Sequence, residues 1–139
     1  MKKAFETIDH TADIGIIVYG ADVKELFSNA ALGLFSLITE PESIEDKLQF
    51  NLKVRSEDAD GLLVEWLNEL IYFFDAKHLL FNRCDIERLT DNELNATCHG
   101  EGFDPMRHKI TRGVKAATYH MLKLEKDREG YTAQVIFDI

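Results

Sequence analysis

Ile14-Gly15-Ile16-Ile17-Val18-Tyr19 is a nearly continuous apolar run, the pattern of a strand covered on both of its faces. A polar stretch, Asp9-His10-Thr11-Ala12-Asp13, leads into it, and Phe5 and Ile8 before that mark a short opening strand. After the run, Asp22 is placed as the N-cap of a helix through about Ile38, because Leu26, Phe27, Ala30, Ala31, Leu34 and Phe35 recur at helical spacing. Pro41 closes that helix. Leu48, Phe50, Leu52 and Val54 then alternate with Gln49, Asn51, Lys53 and Arg55, the period of a strand with one wet face.

A second helix is predicted from near Asp60 to Ala76, where Leu63, Trp66, Leu67, Leu70, Ile71 and Phe74 form one broad stripe. Trp66 reads as core. A hairpin turning through Thr90-Asp91-Asn92 sets Cys84 opposite Cys98, Ile86 opposite Ala96 and Arg88 opposite Leu94, which puts both thiols on one face as small core side chains. A disulfide between them is geometrically open but disfavoured in a reducing cytosol. Two final strands, roughly 114–125 and 131–138, are joined through Asp127-Arg128-Glu129-Gly130. Two amphipathic helices beside these strands predict one domain over residues 1–139, an α+β sandwich with two helices packed on a mixed, mostly antiparallel β-sheet.

Charge narrows the function classes. The net charge of −9 argues against a surface that binds nucleic acid throughout, since phosphate binding needs clustered lysine and arginine. The first seventy residues hold 6 basic and 14 acidic side chains and the remainder 10 and 11, so the excess acid lies in the first half. In the second half Arg107, His108, Lys109, Arg112 and Lys115 fall in a stretch with no acid between Asp104 and Glu125. That stretch reads either as a local positive patch or, preferably, as a solvated loop. The start Met1-Lys2-Lys3 has no apolar core of a signal peptide, and no apolar run is long enough to span a bilayer, so a cytoplasmic protein with no membrane partner is expected.

The chemistry-bearing residues lie at the two extremities. If the first and last strands are neighbours, the side chains of Asp13 and Asp138 and the terminal carboxylate of Ile139 converge. Two carboxylates about 4 Å apart repel by roughly 1 kcal/mol in water and roughly 4 kcal/mol at an effective dielectric of 20. A divalent cation converts that repulsion into a ligand set, and oxygen donors suit calcium, magnesium or manganese. His10 sits three residues before Asp13, and strand alternation puts Thr118 and His120 on one face and Lys115 on the other. Other chemistries lack their residues. His99-Gly100-Glu101-Gly102-Phe103 has neither the lysine of a phosphate loop nor a third glycine before a helix, and Ser28, Ser36 and Cys84 sit in apolar stripes without a predicted base.

Four strings in order carry a family resemblance: His10-Thr11-Ala12-Asp13-Ile14-Gly15, Glu65-Trp66-Leu67-Asn68-Glu69-Leu70-Ile71, Lys115-Ala116-Ala117-Thr118-Tyr119-His120 and the closing Asp138-Ile139. Together they resemble the archease family over essentially the whole chain. The resemblance implies a compact α/β sandwich that is not itself an enzyme but activates the RNA ligase RtcB, which joins tRNA halves after intron removal. It implies faster guanylylation of the ligase's histidine and continued turnover, with GTP and manganese belonging to the ligase and tRNA met only through it. It further implies a metal site made by Asp13, Asp138 and the carboxylate of Ile139, for a divalent ion with calcium ahead of magnesium or manganese. Lys115, His120 and His10 are carried over as residues that support the ligands or touch the ligase. Glu101 to Arg112 matches no family string and leaves the basic stretch unassigned.

Two other functions stand beside this one. The first is a metal-dependent phosphoesterase or nuclease using Asp13 and Asp138 with His10 or His120 as general base. The second is a general RNA-associated chaperone contacting phosphate through Arg107 to Lys115.

Overall fold

A computed structural model describes residues 3–9 and 13–139. Its strands are β1 (Phe5–Asp9), β2 (Asp13–Gly20), β3 (Leu48–Arg55), β4 (Leu79–Leu89), β5 (Glu93–Gly102), β6 (Ala116–Ala117), β7 (Lys123–Asp127) and β8 (Gly130–Asp138), with helices α1 (Val23–Ile38) and α2 (Ala59–Lys77). They form two sheets. One runs β1-β2-β8-β6, with β7 sharing the β6 edge of β8; the other runs β3-β5-β4. Every described pairing is antiparallel.

The predicted helices on a mostly antiparallel sheet are present, with the strands divided over two sheets and the helices between them. α1 packs on β2 on one side and β4 on the other, and α2 touches β6 as well as β3, β4 and β5. A helix in the middle layer must be apolar on more than one face. That explains why Leu26, Phe27, Ala30, Ala31, Leu34, Phe35, Leu37 and Ile38 of α1 are all buried. Asp22 caps α1 by accepting from the Glu25 amide at 2.8 Å, and Asp58 caps α2 by accepting from the Gly61 amide at 2.7 Å, each satisfying an amide that the helix leaves open. α1 stops at Ile38 before Pro41 is reached, because Thr39 is extended and its hydroxyl donates to the Lys109 carbonyl at 2.7 Å.

Trp66 is fully buried and its indole Nε1 donates to the Phe27 carbonyl at 2.9 Å, tying α2 to α1. Trp66→Phe removes that bond and leaves an acceptor and a void behind; urea unfolding should report a loss of about 2 kcal/mol.

Three local expectations are corrected. The strand predicted over 114–125 is broken: β6 is two residues long, Thr118 to Leu122 turn away, and β7 rejoins β8 further along. The turn is held by Thr118, whose amide and hydroxyl both donate to the Ile136 carbonyl (3.0 and 2.8 Å), and by Gln134, whose side-chain amide donates to the Met121 carbonyl at 2.9 Å. The hairpin register agrees at Cys84 and Ile86, but a bulge after Ile86 sets Arg88 opposite Asn95 and Leu89 opposite Leu94. Cys84 and Cys98, expected as separate core thiols, are joined as a disulfide, both buried. Among the described residues no helix is long and apolar enough to cross a membrane.

Candidate metal site at the paired strand ends

β8 lies beside β2, so the neighbour of the last strand is the second strand and not the first. Their register runs from Gly20 opposite Tyr131 to Asp13 opposite Asp138. Residues directly opposite in an antiparallel pair share a face, with Cβ atoms about 5 Å apart. Alternation sorts the rest. Ile14, Ile16 and Val18 pair with Phe137, Val135 and Ala133 on the core side, all buried, and that apolar ladder admits no slip, since moving by one residue would turn each of them to the opposite face. The same ladder therefore holds Asp13 and Asp138 side by side on the other face.

On its far edge Asp138 pairs with Ala116, and its carbonyl accepts from the Lys115 amide at 2.8 Å. β6 is in turn gripped by a residue whose role the sequence reading missed. The Ala117 amide donates to Asn68 Oδ1 at 2.8 Å and Asn68 Nδ2 donates to the Ala117 carbonyl at 3.2 Å, so one side chain of α2 acts as the missing strand neighbour. The available signal was a primary amide set between Leu67 and Leu70 in an otherwise apolar stripe.

The other candidates separate. Lys115 has an exposed side chain where β6 begins, and His120 is exposed in the Thr118–Leu122 turn, its amide donating to the Thr118 hydroxyl at 3.3 Å. The predicted sharing of a strand face by Thr118 and His120 fails because the strand ends at Ala117. His10 lies outside the described residues. Ile139 follows Asp138 directly and is 44% exposed. Among the described residues no three His, Cys, Asp or Glu side chains gather as a metal cluster. Two opposed carboxylates at a strand end are hard oxygen donors and fit calcium, magnesium or manganese; further ligands would be backbone or terminal oxygens and water. The hydroxyls of Ser28 and Ser36 donate to the carbonyls of Cys84 and Gly33, each at 2.7 Å.

The basic stretch is divided: His108 is buried and Arg107 is paired, while Lys109 and Lys115 are exposed and Arg112 is half-buried. Glu101 is buried at the end of β5; its carboxylate accepts from the Glu45 amide at 2.6 Å and from His108 Nε2 at 3.0 Å, and it pairs with the Arg107 guanidinium. His108 is buried and its Nδ1 accepts from the Asp104 amide at 2.9 Å. Arg107 and His108 thus staple their loop to β5 through Glu101, and Lys109 and Lys115 stay on the surface. Burial alone would raise the Glu101 carboxyl, but the Glu45 amide, Arg107 and His108 together hold it down to about 2. Such a depressed carboxyl stabilises the fold fully above its ordinary value near 4.5, and that contribution drains away as pH falls toward 2, because the unfolded chain takes up the proton first. Acid titration of unfolding should show a loss of about 3 kcal/mol across that window, and Glu101→Gln should flatten it.

Residues 5–139 match the model of the archease protein family (MTH1598/TM1083). The chain belongs to the archease family. Archease proteins of Methanosarcina mazei and Pyrococcus furiosus are 37% and 38% identical to it, over 99% of this chain and 97% and 99% of theirs. The solution structure of protein 1598 of Methanobacterium thermoautotrophicum superposes with a TM-score of 0.81 at 33% identity, covering 98% of this chain and 99% of that one. The crystal structure of an archease from Thermotoga maritima, described as a possible chaperone, superposes with a TM-score of 0.66 at 27% identity, covering 100% and 98%. The archease fold thus accounts for both sheets and the enclosed helices.

Proposed function

We propose that this archease-family protein is a non-enzymatic activator of an RtcB-type RNA ligase, promoting guanylylation of the ligase and its repeated turnover, and that Asp13, Asp138 and the carboxylate of Ile139 hold a divalent ion for that task. The register that opposes Asp13 to Asp138 is the observation that supports it most. Opposed like charges destabilise a strand pair, and a cation between them removes that cost. When bound, the ion supplies positive charge and exchangeable water ligands next to the ligase's nucleotide phosphates. The chain's own residues do the rest. Asp13 and Asp138 orient the oxygens, Lys115 adds an exposed cation one residue before the strand that pairs with Asp138, and the turn carrying His120 and the exposed Tyr119 and Met121 offers contact surface.

Stimulation also requires that the protein bind the guanylylation-competent ligase more tightly than other ligase conformations, since a cofactor shifts an equilibrium only by its differential affinity. The test is a guanylylation time course of the cognate ligase with and without this protein, alongside a version carrying a C-terminal tag. Faster guanylylation with the native chain end and a lost effect with the tag support the reading. Equal rates with and without the protein end it, and phosphodiester hydrolysis by the protein alone would replace it with an enzyme.

A further inference from the structure

The outer face of the β3-β5-β4 sheet carries a row of side chains that neither the paired strand ends nor the Glu101 staple uses. Lys53 of β3 stands opposite Asn95 of β5, and Asn95 opposite Arg88 of β4. Arg88 reaches this row through the bulge at Glu87. Without the extra residue Arg88 would face Leu94 and point into the core; with it, Leu89 takes that place and Arg88 joins the wet face. The bulge therefore re-aims a guanidinium.

Lys53, Arg55, Arg88, Glu93 and Asn95 line a concavity of about 220 Å³. The carboxylates around it have partners of their own, Glu93 with another residue of the lining. Glu93 pairs with Arg55 at 2.8 Å, and Glu87 accepts from Asn51 at 3.3 Å and Thr97 at 3.0 Å. Among the described residues Lys53 and Arg88 have no carboxylate partner. Asn95 has its Oδ1 buried, which leaves the amide Nδ2 as its accessible group. On a protein of net charge −9, two unneutralised cations and an amide donor converge on one hollow.

Along the Lys53–Asn95–Arg88 row the groups are donors, and Glu93, a carboxylate of the lining, is held by Arg55; a row of donors takes an oxyanion. Lys53 and Arg88 are separated by two strand spacings, roughly 9–10 Å at the backbone. A tetrahedral phosphate with three terminal oxygens can reach both cations and the amide together, whereas a carboxylate has two oxygens in one plane. We propose that the Lys53–Asn95–Arg88 row binds the terminal phosphate of a phosphomonoester, carried by a free nucleotide or by the 5′ end of an RNA strand. The site is independent of the carboxylates at Asp13 and Asp138.

The experiment is an amide-resolved NMR titration of the intact chain with AMP, with a short 5′-phosphorylated oligouridylate, and with the same oligomer ending in a 5′ hydroxyl. Saturable shifts at Lys53, Arg88 and Asn95 with AMP and the phosphorylated oligomer assign the phosphate itself; shifts with the phosphorylated oligomer alone assign a strand end. Lys53→Gln with Arg88→Gln should weaken binding about tenfold to a hundredfold, Lys53→Arg with Arg88→Lys should keep it, and Asp138→Ala should leave it unchanged. No saturable shift, shifts centred elsewhere, an equal response to the hydroxyl-ended oligomer, or binding that survives the double glutamine variant would each overturn the proposal.

Discussion

Asp138→Ala is expected to abolish stimulation of ligase guanylylation while leaving the unfolding transition within about 0.5 kcal/mol of the parent. The side chain is exposed, and the backbone of Asp138 keeps its pairings with Asp13 and Ala116 and its bond from the Lys115 amide whatever the side chain. The fold therefore has little to lose. The proposed ion loses one of its anionic ligands, and the neighbouring carboxylate loses the partner that makes the place attractive to a cation. Asp13→Ala should likewise abolish stimulation, at a larger cost in stability because its side chain is half-buried. Calorimetric titration with calcium and with manganese supplies a readout apart from the ligase: binding by the parent and none by either variant is the expected pattern, and a chelator should reproduce the variants' loss of stimulation. Full stimulation by a variant that no longer binds the ion would remove the metal from the mechanism.

Gly100→Ala should be among the most damaging single-methyl changes in the molecule. A Cβ on Gly100 would overlap the Leu80 carbonyl oxygen and sit 2.8 Å from Phe81 Cα, both of them backbone atoms of the partner strand that no rotamer change can move aside. Relief requires separating β4 from β5 where Phe81, Leu80 and Cys98 are buried, so a loss of about 3 kcal/mol or more is expected in urea unfolding. Gly102, two residues on, has nothing within 4 Å of the same added atom; Gly102→Ala should fall within about 0.5 kcal/mol of the parent. Similar costs at the two positions would show that β4 and β5 are less tightly apposed than described.

Much of this architecture could be read from spacing because burial imposes a period. The stripes of α1 and α2, the caps at Asp22 and the alternation of β3 all sit where the pattern puts them. The meeting of Asp13 and Asp138 followed in the sequence only from the condition that the first and last strands are neighbours; the strand that lies beside the last is the second. What escaped reading depends on partners distant in sequence. Thr118-Tyr119-His120-Met121 has good strand formers, yet Thr118 and Gln134 hold it out of the sheet. Glu101 looks like a solvent-facing acid between two glycines until Glu45, Arg107 and His108 close around it. The division into two sheets had a trace in the breadth of the α1 apolar surface, which is wider than one sheet needs.

The two hydrogen bonds from Asn68 make α2 and the tail of the chain a single mechanical unit. A partner that tilted or slid this helix would have to drag Ala117, and with it the edge on which Asp138 rests, or else snap both bonds. Geometry at the carboxylates is thereby coupled to a surface one layer away, and Asn68→Leu would uncouple them without touching any charged group.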